Sequence, residues 1–285
     1  MLITVASGKG GTGKTTIAVN LALTLKEMMP VMLLDCDVEE PNAHLFLQPT
    51  FTDQEKVFTT IPLVDETRCD GCGKCSEFCA YNAIAMVKEK PMIFPELCHG
   101  CGGCTLVCPT KAISETSREI GRTDSGWGSS IQITRGYLQI GSPLAPHVVN
   151  AVRGVIPPDH SDKAVIIDAP PGTSCAVVAA AQNTDFCLLV TEPTPFGLHD
   201  LGLAVELAKE LELPHGVVIN RAGLGDRGVY DYCQKAGIPI LMEIPFGEKY
   251  AACYARGDRL VEEFPDLKEK FTKLWDMIQT HATEQ

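Results

Sequence analysis

The run Ser7-Gly8-Lys9-Gly10-Gly11-Thr12-Gly13-Lys14-Thr15-Thr16 constrains this chain more than any other stretch. It lies between an apolar segment, Leu2-Ile3-Thr4-Val5-Ala6, and a helical pattern over residues 17–23. Strand, glycine-rich loop and helix in that order make G-x-x-x-x-G-K-S/T a phosphate-binding loop. Backbone N–H groups line such a loop and end at a helix N-terminus, where partial positive charge favours an anion. Gly8, Gly10, Gly11 and Gly13 leave room for phosphate oxygens and permit positive φ. Lys14 is placed to reach the outer phosphates and the Thr15 hydroxyl to ligate Mg2+. A glycine-rich turn with incidental lysines is the competing reading.

Thirteen cysteines set the second constraint. In a small secreted chain they would suggest disulfides. In a chain of 285 residues that opens on a core strand they suggest thiolates and metal in the cytoplasm. Eight of them form two runs, Cys69-x2-Cys72-x2-Cys75-x3-Cys79 and Cys98-x2-Cys101-x2-Cys104-x3-Cys108-Pro109. This spacing matches the bacterial ferredoxin pattern, in which the fourth cysteine of each run ligates the other cluster. Cys69, Cys72, Cys75 and Cys108 are thus expected to hold one 4Fe–4S cluster, and Cys98, Cys101, Cys104 and Cys79 the other. Ala80 stands where the first run would carry a proline. Zinc sites use paired C-x2-C units and fit these runs poorly. His99, beside Cys98, reads as a solvated side chain rather than a ligand.

Buried parallel strands are expected at Val31-Met32-Leu33-Leu34, Val165-Ile166-Ile167, Phe186-Cys187-Leu188-Leu189-Val190 and Gly216-Val217-Val218-Ile219, all continuous apolar runs. A helix with apolar residues at 3–4 spacing fits 198–211. Short strands are expected near 119–122, 131–133 and 137–140, with the Gly/Ser-rich stretch 124–130 as a mobile surface loop. Carboxylates follow two of the apolar runs: Asp35 and Asp37 after one, Asp168 before Pro170-Pro171-Gly172 after another. The C-terminal ends of parallel strands are where open α/β sheets bind ligands. Asp168 reads as holding Mg2+ through water, and Gly172 as sensing a terminal phosphate through its amide. Asp35 either sits near Mg2+ or caps a helix starting near Pro41. Capping is also open for Asp37 and, after Thr173, for Asp168.

With Lys9 inside the loop, K-G-G-x-G-K-T resembles the deviant Walker A of the MinD/ParA/nitrogenase-iron-protein superfamily of P-loop ATPases. The resemblance covers the whole chain and implies a doubly wound, mostly parallel α/β sheet. A ferredoxin-like α+β module is inserted at 61–115, leaving 1–60 and 116–285 to the ATPase. It also implies ATP with Mg2+ as ligand, and an ATP-dependent homodimer or a heterodimer with a paralogue. As a bare residue Lys9 serves its own nucleotide equally well; the resemblance implies that it crosses to the partner's. It implies that Asp37 orients or deprotonates the attacking water, as a catalytic residue beside Lys9, Lys14 and Asp168. Thr12 and Thr16 belong to the same nucleotide-binding loop. Asn220 is implied to pair with the adenine edge, with Arg221 beside it and Ile244-Pro245-Phe246 packed against the base; Gly247 stands where relatives often have an aspartate. Cys175, just after Gly172-Thr173-Ser174, matches a cluster-ligand position of the nitrogenase iron protein. That protein supplies a second cysteine with no counterpart here, so Cys175, like Cys36, Cys187, Cys233 and Cys253, reads as a buried structural thiol.

A formal charge of −12 argues against nucleic acid as a partner. The final helical pattern, Phe264, Leu267, Phe271, Leu274, Trp275 and Ile278, has an acidic polar face, which argues for docking on the protein's own core rather than on a membrane. Similarity to Mrp-type carriers implies an ATP-dependent factor that assembles or delivers an iron–sulfur or mixed-metal cluster to a client metalloprotein or apo-protein. The alternative is an ATP-gated electron donor to a partner metalloprotein; a ParA-like positioning scaffold is a third class.

Overall fold

The structure, a computed structural model, describes residues 1–283. In chain order its elements are β1 (Leu2–Ala6), α1 (Lys14–Leu25), β2 (Val31–Asp35), α2 (His44–Leu47), β3 (Thr50–Val64), α3 (Lys74–Phe78), β4 (Ile84–Val87), β5 (Lys90–Ile93), α4 (Gly103–Val107), β6 (Ile113–Gly128), β7 (Ile131–Leu138) and α5 (Ala145–Arg153). They continue with β8 (Ala164–Asp168), α6 (Cys175–Ala181), β9 (Phe186–Thr191), α7 (Pro195–Glu210), β10 (His215–Ala222), α8 (Gly228–Ala236), β11 (Ile240–Pro245), α9 (Glu248–Ala255), α10 (Leu260–Glu263) and α11 (Pro265–Thr283).

One nine-stranded sheet, ordered β11-β10-β9-β1-β8-β2-β7-β6-β3, forms the frame. Every pairing from β11 to β7 is parallel; β7–β6 and β6–β3 are antiparallel. This is the doubly wound, mostly parallel α/β architecture the apolar runs imply. β1, β2 and β8 are buried at every position because helices cover both faces. Alternate residues therefore enter two cores. Leu2, Met32, Leu34, Val165 and Ile167 meet α5, α6, α7 and α8. Ile3, Val5, Val31, Leu33 and Ile166 meet α1 and α11. Helix α11 buries Leu267, Phe271, Leu274, Trp275 and Ile278, so it docks on the protein's own core as its acidic face suggests. Each such side chain contributes about 1.5–3 kcal/mol.

The stretch 124–130 is not a surface loop. It belongs to β6, which pairs with β7 from Gly121–Leu138 to Gly128–Ile131 and with β3 on its other side. Only Ser129 and Ser130 turn, both at positive φ (53° and 63°), as a two-residue hairpin turn requires. The glycines mark close approach rather than mobility: a Cβ on Gly126 would run into the Thr50 carbonyl oxygen. Asp124 is 3% exposed and accepts from Arg135 at 3.0 Å and Gln54 at 2.8 Å. Polar composition misleads here because these polar groups satisfy one another across the strands.

β3 and β6 run on past the end of β7 as a two-stranded ribbon, crossing positions 61 and 115 without a break. At its tip Asp65 N donates to Ala112 O at 2.7 Å. Between these ends the chain folds into two short helices, α3 and α4, and the hairpin β4–β5.

Two glycine substitutions separate packing from flexibility. Gly126→Ala is expected to destabilise the protein by about 1–3 kcal/mol, because the ribbon must shift to admit a methyl group. Gly202→Ala, inside α7 with nothing within 4 Å of the new carbon, is expected to stabilise it by about 0.5–1 kcal/mol. Urea melts of both variants beside the wild type measure the difference.

Candidate functional site

β1 hands the chain to the loop at Ser7, and α1 takes it up at Lys14. Gly13 needs its glycine twice: its φ is 99°, and a Cβ would collide with the Asn220 amide. That amide donates to Thr12 O at 2.8 Å and braces the loop from β10. From the neighbouring strand Asp168 reaches α1, where Thr15 Oγ1 donates to its Oδ2 at 2.6 Å. Asp168 Oδ1 and Thr12 Oγ1 are buried with no hydrogen-bond partner among the described residues. Two orphaned oxygens beside a phosphate-type loop fit the missing groups of a magnesium nucleotide.

The charges here strain one another. Lys14 is 6% exposed, and burial pushes its pKa down against the pull of Asp168, Asp37 and Asp35. Burial first, then Asp37, raise Asp168 to about 7 although Lys14 and Thr15 oppose. Asp37 is also held above the ordinary carboxylate range by burial, with Lys14 opposing. Lys14 and Asp37 line a cleft of ≈ 420 Å³ that runs from Lys14, Thr15 and Thr16 past Asp37 and Pro171 to Asn220, Arg221, Pro245 and Phe246.

Several residues around the cleft have specific partners. Asp35 takes the capping role: its Oδ2 accepts from Asn42 N and Ala43 N, both at 2.9 Å, just before α2. The Gly172 amide donates to Ser7 O at 3.0 Å. Lys9 Nζ bonds Glu192 Oε1 at 2.5 Å, and Arg221 Nη1 bonds Glu192 Oε2 at 2.8 Å. Glu192 was missed as a site residue. The available signal was its place directly after β9, the same strand-end position that drew attention to Asp35 and Asp168.

The cysteines gather into two groups. One cavity, of ≈ 20 Å³, is lined by Cys69, Cys72, Cys75 and Cys108; another, of ≈ 240 Å³, by Cys79, Cys98, Cys101 and Cys104. Each run thus sends its fourth cysteine to the other cavity. The two halves repeat locally: Ala83 N donates to Cys79 Sγ and Ala112 N to Cys108 Sγ, both at 3.3 Å. Gly73 and Gly102 precede α3 and α4 at φ 76° and 71°. Thiolate donors, N–H···S bonds and open glycine backbone fit an iron–sulfur cluster in each cavity. Among the described residues no three Cys, His, Asp or Glu side chains converge to hold a single metal ion. His99 is not simply solvated; its ring stacks on Tyr81 at 3.7 Å. Cys36, Cys187, Cys233 and Cys253 are buried, but Cys175 is exposed, so the structural-thiol reading fails for it. It opens α6 with its side chain outside the apolar face formed by Ala176, Val177 and Ala180.

The sequence profile described as the CobQ/CobB/MinD/ParA nucleotide binding domain matches residues 3–261. The chain belongs to this nucleotide-binding family. An uncharacterized protein of Methanocaldococcus jannaschii is 28% identical over 98% of this chain and 97% of its own length. An iron-sulfur cluster carrier protein of Pyrococcus horikoshii is 27% identical over 87% of this chain and 74% of its own. In fold, the chain is similar to the septum site-determining protein MinD complexed with Mg-ADP from Pyrococcus horikoshii, with a TM-score of 0.60, 21% identity and coverage of 99% and 97%. Among the described residues no helix is long and apolar enough to cross a membrane.

Asp168 makes a pH test possible. Folded, its carboxyl keeps a proton up to about pH 7; unfolded, it loses it near 3.8. Between those values the folded chain binds more protons, so stability falls as pH rises. Without nucleotide, Asp168→Asn is expected to flatten that fall and raise the melting temperature at about pH 8. Some slope survives, since Asp35 shifts in the same direction. The same variant is expected to lower Mg2+-dependent nucleotide affinity about tenfold or more. Thermal melts across pH and calorimetric titration read the two effects.

Proposed function

We propose that this protein binds and hydrolyses Mg-ATP and uses the cycle to assemble or deliver an iron–sulfur or mixed-metal cluster to a client protein. It works as an ATP-dependent homodimer or with a paralogue. The observation that carries the reading is the pair of cysteine quartets, each around its own cavity, on a ribbon continuous with the sheet of the nucleotide cleft. The carrier-protein names of several relatives support it.

In this reading Lys14 and the loop amides bind the phosphates, while Thr15 ligates Mg2+ and Asp168 holds it through water. Asp37 orients the attacking water and takes its proton, a task suited to a carboxylate whose pKa is raised by burial. Lys9 reaches a terminal phosphate, and Gly172 senses that phosphate by exchanging its bond to Ser7. Asn220, Arg221 and Pro245 border the base. Cys69, Cys72, Cys75 and Cys108 hold one 4Fe–4S cluster and Cys98, Cys101, Cys104 and Cys79 the other. When bound, these clusters supply one-electron chemistry or a transferable iron–sulfur unit.

A second reading, ATP-gated electron donation, is favoured by the crossing of the quartets. Each cluster ties both halves of the module together, so losing one disrupts both halves. Anaerobic purification is expected to give about eight irons per chain, and Cys108→Ala to lose the cluster of Cys69, Cys72 and Cys75. An apo-client mixed with the loaded protein and Mg-ATP should acquire cluster while the donor loses iron. Retention of all iron while a partner is reduced would overturn delivery in favour of electron transfer.

A further inference from the structure

Glu192 is held more firmly than an ordinary surface carboxylate. It is 7% exposed and follows the last residue of β9. Its carbonyl accepts from Thr194 N at 2.8 Å, and Gly197 approaches that carbonyl so closely that no Cβ fits there. Thr191 Oγ1 donates to Gly197 O at 3.0 Å and ties the same turn to α7. From this fixed backbone the two carboxylate oxygens each take one cation, Lys9 at 2.5 Å and Arg221 at 2.8 Å.

Both cations are themselves attached to the phosphate loop. Ser7 Oγ donates to Lys9 O at 2.6 Å within the loop. Arg221 N donates to Asn220 Oδ1 at 2.9 Å, and Asn220 holds Thr12 O. The carboxylate therefore links the first half of the loop to the strand end that braces its second half. Burial alone would raise the pKa of Glu192, but the hydrogen bonds and charges of Lys9 and Arg221 outweigh it and hold the carboxyl below its ordinary value.

We propose that Glu192 is a positioning residue for Lys9: in the nucleotide-free chain it holds the lysine against its own subunit, and only a ligand carrying more negative charge than one carboxylate releases it. The anion that fits is a nucleoside polyphosphate bound as its magnesium salt. This deepens the proposed function and rests on the reading that Lys9 acts on ATP. Freeing Lys9, whose side chain is partly exposed, breaks a charge-assisted hydrogen bond to the buried Glu192 carboxylate, so part of the nucleotide's binding energy is used to open the latch.

The test is a double-mutant cycle read by calorimetric titration with a slowly hydrolysed ATP analogue and Mg2+. The proteins are wild type, Glu192→Gln, Lys9→Ala and the double variant, kept dilute and without client. Glu192→Gln keeps the shape and removes the charge, so it is expected to bind the analogue about tenfold more tightly. In the Lys9→Ala background the same change is expected to alter affinity less than about twofold, because the effect passes through Lys9. Glu192→Asp keeps the charge but is too short to reach both cations; it is expected to fall between wild type and Glu192→Gln, and it carries the cycle if the glutamine variant fails to fold. Unchanged or weaker binding by Glu192→Gln overturns the proposal, as does an equal gain without Lys9. Failure of the wild type to bind Mg-ATP overturns the proposed function and this inference together. Normal nucleotide binding with no cluster delivery overturns the function alone.

Discussion

Two buried carboxylates stand directly opposite each other in register, Asp35 at the end of β2 and Asp168 at the end of β8. Both are fully buried, and each raises the cost of ionising the other. Much of the surrounding structure answers this conflict. Asp35 is satisfied by backbone N–H groups of Asn42 and Ala43, which folds the chain back over the strand end and fixes the turn that carries Asp37. Asp168 takes the Thr15 hydroxyl and the field of Lys14, and one of its oxygens is left over. A divalent cation would meet the need that this arrangement leaves open. The free protein is thereby less stable near its cleft than it would be with neutral residues there, a common feature of binding sites.

That the frame was legible from sequence follows from burial on both faces. β2, β8 and β9 are apolar up to their last residue, so they read as continuous runs, and α11 shows its buried stripe at helical spacing. The cysteine grouping was legible for a different reason: a cluster demands four thiolates, and the chain path around it sets the spacing. The β3–β6–β7 meander was legible only in part: strands were expected near 119–122 and 131–133, inside β6 and β7, but 124–130 read as a loop. Its strands carry Asp124, Thr134 and Arg135 in a polar interior, and its glycines stand where backbones touch. Composition alone cannot separate that pattern from a loop. The Glu192 latch was hidden because its three members lie far apart in the chain and meet only once β9, β10 and the phosphate loop are side by side.

Asp35 shows a choice that spacing alone leaves open. A carboxylate at a strand end near Mg2+ is equally well placed to cap the next turn, and spacing cannot choose. The structure chooses by geometry: the Asn42 and Ala43 amides reach Asp35 first. Asp37, two residues on, donates its backbone N–H to Asp35 Oδ1 at 3.3 Å and lines the cleft.

The same turn joins the nucleotide cleft to the ribbon. Leu138 N at the end of β7 donates to Val38 O at 2.8 Å, one residue beyond Asp37. Gly136 packs against the Val38 side chain, and Ser129 Oγ donates to Leu47 O at the end of α2. β7 is hydrogen-bonded along its length to β6, and β6 with β3 forms the ribbon. Along that ribbon the two cysteine cavities are not equivalent. The Cys98 run lies against its middle, where Gly100 touches Thr59 and Thr60, while the Cys108 end sits at its tip beside Ile113. A rigid antiparallel path therefore leads from the residue behind Asp37 first to the cavity of Cys79, Cys98, Cys101 and Cys104, and only then to the outer one. The inner cavity is thus joined to the turn after β2 by a shorter run of strand pairing than the outer one.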